Sequence, residues 1–167
     1  NLSSSALGEN ILTFLTMEGR VVMDLFKVVQ KDHKLVSYKL DAVAENFING
    51  GIKSINDNKL EISGISDLNI GNYITIFMKN DKYLEGKKLM ITSIEGNIIE
   101  LNEEIDSSIM DKKPNWQLAK DDIGPQDIFR LQKQDAEGRM LVAKYCIQDC
   151  VLCNKLVTKL SIVSNNI

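Results

Sequence analysis

Residues 143–156, AKYCIQDCVLCNKL, contain two overlapping patterns of side chains that could do chemistry. The first is a set of three thiols, Cys146, Cys150 and Cys153, with a spacing that can hold an iron–sulfur cluster. A cluster needs three converging thiolates, whereas residues three or four apart on a helix project in a row along one face. Because the segment has strong helical periodicity, we expect the cysteines to be small apolar residues packed in the core. The only histidine, His33, is distant in sequence, which disfavours a structural zinc site.

The second pattern is the pair Tyr145 and Asp149, which are four residues apart. At this spacing two side chains lie on the same face of a helix, one turn apart. A carboxylate at the edge of a buried stripe can bind a divalent cation, and an adjacent phenol can hydrogen-bond an attacking water or a phosphate oxygen. The pair therefore suggests metal-dependent hydrolysis of a phosphodiester. Since the spacing is common, an exposed carboxylate beside a half-buried tyrosine is the alternative interpretation.

Helices are predicted at both ends of the chain, and one of them must carry this pair. Residues 135–163 form the longest periodic segment and predict a long helix. A shorter helix is predicted to begin at Pro125, because proline suits the first helical position. Residues 25–48 predict two helices, with Ser37 as the N-cap of the second. Asp24 precedes the first of these, and we expect it to stabilise that helix terminus rather than to act in catalysis.

The chain changes character at Gly50, and residues 52–105 are rich in Ile, Thr and Tyr with glycine punctuation, which is typical of strands. The segments KLEISGI, NYITIFM, KLMITSI and NIIEL predict four strands, and IEGN predicts a hairpin turn. Short strands at this spacing favour a small curled sheet or barrel. Trp116 is expected to anchor this block by packing rather than to stack on a base. Before the helices, residues 11–24 predict two short strands around a turn at Glu18 and Gly19.

Composition and charge limit the classes of function. The chain has 167 residues, 44% of them hydrophobic, and a formal net charge of -3, so its surface as a whole is not a phosphate-binding field. Residues 51–120 contain nine Lys against eleven Asp and Glu, so the strand-rich block is not a basic patch. No signal peptide or membrane-spanning run is visible. The cysteines lie within eight positions, which fits a reducing compartment. The chain does not begin with Met, which suggests a piece of a longer protein.

The segments around the candidate residues resemble family B DNA polymerases. GRVVMDLFKVVQ, residues 19–30, and LVSYKLDAVAENF, residues 35–47, are similar to the region after the second motif of the 3′→5′ proofreading exonuclease in the delta branch. LVAKYCIQDCVLCNKLVTKL, residues 141–160, is similar to the third exonuclease motif, Tyr-x3-Asp, and its helix. The two matches occur in the family's order. The composition looks most like that of polymerases from large nucleocytoplasmic DNA viruses.

The resemblance implies a fold and a domain organisation. The expected fold class is α+β: a partial RNase H-like exonuclease fold, made of helices with a short β-hairpin, interrupted by a small β-barrel-like insertion. Residues 1–49 would follow the second exonuclease motif, residues 50–120 would be the β-rich insertion, and residues 121–167 would carry the third motif.

The resemblance also implies an activity and its site residues. The full-length protein would be a DNA-directed DNA polymerase, which combines nucleotidyl transfer with hydrolytic editing by two divalent metals, Mg²⁺ or Mn²⁺, held by four carboxylates. Asp149 matches one carboxylate and is the expected metal ligand, and Tyr145 matches the tyrosine that orients the water. The other family ligands are not matched in this chain, so we expect the chain alone to be inactive as a nuclease.

The expected partner of the intact enzyme is DNA, and the expected location is the nucleus or a cytoplasmic site of viral replication. The β-rich insertion offers an alternative function as a module that docks a replication accessory protein or contacts DNA. No membrane partner is expected.

Overall fold

A computed structural model of the chain describes residues 2–4, 8–10, 17–79, 81–120 and 123–165. Within these ranges the chain is a mixture of strands and helices, with the strands concentrated in the middle. No helix of this described part is both long enough and apolar enough to cross a membrane.

The described residues of the N-terminal part form one antiparallel pair of short strands and two helices. Strands β1 (Leu2–Ser4) and β2 (Gly8–Asn10) pair antiparallel, and helices α1 (Leu25–Asp32) and α2 (Leu40–Phe47) follow. At the start of α1, Oδ1 of Asp24 accepts hydrogen bonds from two backbone N–H groups, at 3.0 Å and 3.5 Å. The structural role predicted for Asp24 is therefore confirmed, because these bonds satisfy orphan donors of the first turn.

Six strands in the middle of the chain close into an antiparallel barrel. They are β3 (Asn49–Asn56), β4 (Lys59–Ile62), β5 (Tyr73–Met78), β7 (Leu89–Glu95), β8 (Ile98–Leu101) and β9 (Asn115–Ala119), and a seventh short strand, β6 (Asp81–Lys82), lies between β5 and β7 in the chain. The order around the barrel is β5–β7–β8–β4–β3–β9, and pairing of β9 with β5 closes the ring. Strand β6 pairs only with β5, outside the ring. All four predicted strands and the predicted barrel-like insertion are confirmed.

The barrel interior is filled by alternate side chains of its strands, as the two-residue period of a strand dictates. Its fully buried members come from five strands: Leu60, Ile62, Ile74, Ile76, Leu89, Ile91, Ile99, Leu101 and Trp116. Register shifts between Ile52 and Ser54 and between Ile91 and Ser93 insert one extra residue in β3 and in β7. Such bulges bend a strand and increase its twist, which a small closed sheet requires.

Trp116 lies at the crossing of β3, β9 and the end of β4. Its indole is 0% exposed, and its Nε1 donates a hydrogen bond of 2.9 Å to the carbonyl oxygen of Ser63. A Cβ at Gly50 would lie 2.3 Å from that oxygen and 2.8 Å from Nε1, so only glycine fits this close approach. The predicted anchoring role of Trp116 is confirmed, and its complete burial excludes base stacking.

Three helices follow the barrel: α3 (Pro125–Lys133), α4 (Ala136–Lys159) and the short α5 (Ile162–Asn165). Helix α3 begins at proline as predicted. One continuous core joins helices and barrel, since Val43 and Ala44 of α2 and Leu152 and Leu156 of α4 belong to the same buried cluster as the barrel interior. The barrel therefore packs directly against the helices and shares a hydrophobic core with them.

Several details of the predicted elements are wrong. A turn forms at Glu18 and Gly19, with Arg20 N bonded to Met17 O, but residues 20–24 form no strand, and residues 11–16 lie outside the described residues. The N-cap of α2 is Lys39 rather than Ser37, whose hydroxyl accepts a 3.4 Å bond from the N–H of Lys39.

His33, at the end of α1, is partly buried. It packs edge-on against the ring of Phe47, with ring centroids 4.6 Å apart. The apolar face of the imidazole is therefore used to close the space between the end of α1 and the end of α2.

Candidate functional site

Helix α4 places the tyrosine and the aspartate of the candidate pair on its inner face. The helix begins after Asp135, whose Oδ1 accepts a 2.9 Å hydrogen bond from the N–H of Gly138. Its buried positions are Gly138, Val142, Leu152 and Leu156, which follow the spacing of one helical face. Tyr145 and Asp149 occupy the two missing steps of that stripe, between Val142 and Leu152. The two polar side chains therefore interrupt an apolar stripe and face the body of the protein.

The end of β9 brings a lysine against this pair. Lys120 follows Ala119, the last residue of β9, and its Nζ donates hydrogen bonds to Tyr145 Oη at 2.5 Å and to Asp149 Oδ2 at 3.1 Å. The same Nζ lies 2.9 Å from Asp149 Oδ1 and 4.4 Å from the centre of the Tyr145 ring. A second carboxylate, Asp41 of α2, is 3.6 Å away. The cluster thus joins the barrel to two helices.

Hydrogen bonds and neighbouring carboxylates keep Lys120 protonated despite its partial burial. Its side chain is 17% exposed, against 30% for Asp149 and 53% for Asp41. Partial burial lowers the pKa of Lys120, but hydrogen bonds to Tyr145 and Asp149 and the nearby charge of Asp41 outweigh it, so the pKa is raised above its ordinary value. An ammonium ion therefore lies between the phenol and the carboxylates throughout the physiological pH range.

A cleft of about 220 Å³ opens beside Asp149, between the barrel and α4. Lys120 and Asp149 line one end of it, and Lys155 lines it one and a half turns further along α4. Oδ1 of Asp149 is shielded from solvent and has no hydrogen-bond partner among the described residues, apart from the ionic contact to Lys120. The carboxylate thus faces a groove rather than bulk solvent, as a role in chemistry requires.

The described residues provide one carboxylate for a metal ion but not a complete metal site. The carboxylate of Asp149 can supply a single ligand position, and both of its oxygens lie within 3.1 Å of the Lys120 ammonium. Within the described ranges, however, no three side chains of His, Cys, Asp or Glu come close enough together to hold a cation. Any divalent metal bound at Asp149 would need ligands from outside this part of the chain.

The prediction that the cysteines pack in the core is wrong. Cys146 and Cys150 are exposed, and only Cys153 is half-buried, where burial raises the pKa of its thiol. The helix is rotated relative to the predicted orientation, so the face of Tyr145 and Asp149 turns inward instead. The three thiols lie along a regular helix, which disfavours an iron–sulfur cluster.

The sequence interpretation missed Lys120 and Asp41. Lys120 is 25 and 29 residues from its two partners on α4 and belongs to the return from the barrel, so only closure of the barrel brings it to them. The sequence contained one weak indication of Lys120. It begins a polar stretch directly after the buried strand β9, and a side chain at the end of a strand can lie in a cleft.

The Lys120–Asp149 contact should contribute measurably to stability. In a double-mutant cycle with Lys120→Met and Asp149→Asn, we expect a coupling energy of about 1–2 kcal/mol, because removing either partner leaves a shielded charged group without its counter-ion. Urea unfolding of the 167-residue chain measures it. The matched control is Lys120→Met with Asp41→Asn, for which we expect less than about 0.5 kcal/mol, since Asp41 is more exposed and more distant. Equal coupling in both cycles would contradict the geometry.

Comparison with known proteins gives consistent matches along the chain. Residues 30–162 match the family described as DNA polymerase family B viral insert. The chain is 46% identical over 165 residues to a DNA polymerase of Pyramimonas orientalis virus. The aligned region covers 99% of this chain and 13% of that protein. It is 31% identical to a DNA polymerase of Phaeocystis pouchetii virus, over 97% of this chain and 17% of that protein. It is 29% identical to a DNA polymerase of Acanthamoeba polyphaga mimivirus. The chain therefore spans less than a fifth of the length of these relatives.

Proposed function

The chain belongs to the family described as DNA polymerase family B viral insert, and from this premise we propose that it is part of a DNA-directed DNA polymerase that replicates the genome of a large DNA virus. Its expected partner is DNA, and its expected location is the nucleus or a cytoplasmic replication site. The identity to viral DNA polymerases along nearly the whole chain supports this proposal.

Within that polymerase, we propose that residues outside the barrel belong to a 3′→5′ proofreading exonuclease of RNase H-like fold. The observation that carries this proposal is the position of Tyr145 and Asp149 on the inner face of α4, with Asp149 in a cleft. A carboxylate that lines a cleft, as Asp149 does, suits one ligand position of a Mg²⁺ or Mn²⁺ site, which would polarise a water and stabilise charge on the scissile phosphate.

The residues of this chain would orient the reactants rather than complete the metal site. The hydroxyl of Tyr145 can donate a hydrogen bond to the attacking water or to a phosphate oxygen. Lys120 holds the phenol and the carboxylate in one arrangement, since its ammonium bonds both. Preorganised groups of this kind favour the transition state because they need no rearrangement during the reaction.

The test is digestion of 5′-labelled single-stranded DNA in the presence of Mg²⁺. We expect the full-length polymerase to release nucleotides from the 3′ end, and the 167-residue chain to release none, because its described residues do not bring three ligand side chains together. Heat-denatured full-length enzyme controls for contaminating nuclease. The contrary result is metal-dependent digestion by the 167-residue chain that is lost on Asp149→Asn. It would show that the other metal ligands do not have to come from the rest of the protein.

The alternative function, a docking or DNA-contacting module formed by the barrel, receives limited support from the barrel surface. Among its described residues the exposed large apolar side chains are Ile70, Leu84 and Ile98, one on each of three segments. A docking surface for an accessory protein therefore stays a secondary proposal.

A further inference from the structure

The cleft beside Asp149 has walls from two different parts of the molecule. One wall is the barrel, which contributes the segment 69–73 before and at the start of β5. The other wall is α4, which contributes Ile147, Gln148 and Val151. The barrel is thus not remote from the candidate exonuclease residues, since it forms half of the space into which Asp149 opens.

Ionic contacts hold the two walls together on either side of the cleft. On one side Lys120 of the barrel binds Asp149 of α4. On the other side Nζ of Lys155 donates a 2.7 Å hydrogen bond to the carbonyl oxygen of Asp67, and Nζ of Lys159 donates one of 2.6 Å to its Oδ2. The Asp67 side chain is 19% exposed, so this contact is shielded from solvent. The barrel is therefore fixed in one position relative to α4.

The chemistry of the walls suits one nucleotide. Ile70 is 65% exposed and Ile147 is 63% exposed, although both line the cleft, so they present apolar surface against which the face of a base can pack by van der Waals contact. The amides of Asn72 and Gln148 add groups that can hydrogen-bond a base edge or a sugar. The cleft volume of about 220 Å³ is small, so a ligand of no more than about one nucleoside is the size that it suits.

The cleft offers ammonium groups to a phosphate but no net positive charge. Lys120 and Lys155 line it together with Asp149. Lys120 also lies 3.6 Å from Asp41, and Lys159 pairs with Asp67 beside Lys155, so three ammonium groups are balanced by three carboxylates. A phosphodiester bound here would therefore contact individual ammonium groups rather than respond to an overall positive field.

We propose that the barrel forms one wall of the groove that holds the 3′-terminal nucleotide of single-stranded DNA, with the side chain of Ile70 in contact with the base. The inference rests on the proposed exonuclease role of Asp149 and adds to it that the insertion takes part in substrate binding during editing.

The test is steady-state excision of single-stranded DNA by the full-length polymerase carrying Ile70→Glu. We expect the KM for excision to rise about tenfold with kcat unchanged, because the substitution removes an apolar packing surface and adds negative charge beside a phosphate. Synthesis on a primed template should be unchanged. The matched control is Ile98→Glu, an exposed isoleucine of β8 that does not line the cleft. An unchanged KM for Ile70→Glu, or an equal rise for Ile98→Glu, would overturn the proposal.

A photocrosslink tests the same contact without any substitution. Single-stranded DNA with 5-iododeoxyuridine at its 3′ end is irradiated with the wild-type enzyme, and the crosslinked peptide is identified by mass spectrometry. We expect a peptide that contains residues 69–73. Crosslinks confined to residues outside the barrel would contradict the proposal.

The two proposals can fail separately. Loss of excision in Asp149→Asn with an unchanged KM in Ile70→Glu leaves the exonuclease assignment standing and removes the role of the barrel in DNA binding. Retained excision in Asp149→Asn removes both. If Ile70→Glu leaves excision intact and instead reduces synthesis stimulated by an accessory protein, the barrel surface binds protein rather than DNA, and the inference is wrong.

Discussion

Substitution of Asp149 by Asn in the full-length polymerase should lower the rate of nucleotide excision from the 3′ end of single-stranded DNA by at least about 10²-fold. The amide keeps the shape of the side chain but removes the negative charge that a divalent cation requires of its ligand. DNA synthesis should be unchanged, because the proposed role of Asp149 is confined to editing. Single-turnover excision and primer extension, measured on the same preparation, separate the two activities.

The control for Asp149→Asn is Glu95→Gln, which removes an exposed carboxylate at the end of β7. It should leave both activities unchanged. Excision that survives Asp149→Asn within threefold of the wild-type rate would show that this carboxylate has no part in the reaction. Equal losses of excision and synthesis would indicate misfolding instead, since an editing residue should not affect polymerisation.

Substitution of Trp116 by Ala should destabilise the 167-residue chain by about 3–5 kcal/mol. The indole is completely buried where β3 and β9 meet, and its loss leaves a cavity in the barrel and an unpaired carbonyl at Ser63. Because typical domains are stable by only about 5–15 kcal/mol, the variant should be close to unfolding at physiological temperature. Urea unfolding followed by circular dichroism measures the change.

Trp116→Phe is the graded control for this prediction. It keeps most of the buried ring but removes Nε1, so we expect a smaller loss of about 1–3 kcal/mol from the unsatisfied carbonyl of Ser63. If both substitutions cost less than 1 kcal/mol, the barrel does not depend on this side chain in the way that its burial indicates.

The strands of the barrel could be predicted where the sequence shows the apolar pattern of a strand. The two strands without that pattern were missed. Strands β4, β5, β7 and β8 have apolar side chains at every second position or in short β-branched runs, and all four were predicted. Strand β3 begins with Asn49 and two glycines, a pattern that indicates the end of a helix rather than a strand. The structure explains the glycine at position 50, because Trp116 approaches it too closely for any other side chain. Strand β9 is short and buried on nearly every residue, so it shows no alternation.

The candidate site was predictable only as far as local spacing reaches. Tyr145 and Asp149 were recognised because both lie within one turn of the same helix. The orientation of that helix could not be predicted in the same way. Cys146, Cys150 and Cys153 are also spaced by four and three residues, so they formed an equally regular candidate for the buried face. The body of the protein decides between the two faces: Leu152 and Leu156 are buried in the common core, which turns Tyr145 and Asp149 inward and leaves Cys146 and Cys150 exposed.

The partners of the pair depend on the tertiary fold rather than on spacing. Lys120 reaches Tyr145 and Asp149 because the barrel closes through β5 and β9 and returns the chain to α4. The contacts of Asp67 with Lys155 and Lys159 join residues that are 88 and 92 positions apart in the chain. No local sequence pattern predicts contacts at such separations. Both contacts therefore had to come from the structure, and both attach the insertion to the helix that carries the candidate carboxylate.

The central claim is that the carboxylate of Asp149 binds a catalytic metal ion in the intact polymerase. A crystal structure of the full-length enzyme in Mn²⁺, with anomalous scattering used to locate the metal, tests it most directly. We predict an anomalous peak roughly 2.0–2.2 Å from a carboxylate oxygen of Asp149, with the remaining ligands supplied by residues outside this chain. An excision-competent enzyme whose Mn²⁺ peaks all lie beyond bonding distance of Asp149, with that carboxylate bound only to Lys120, would contradict the claim.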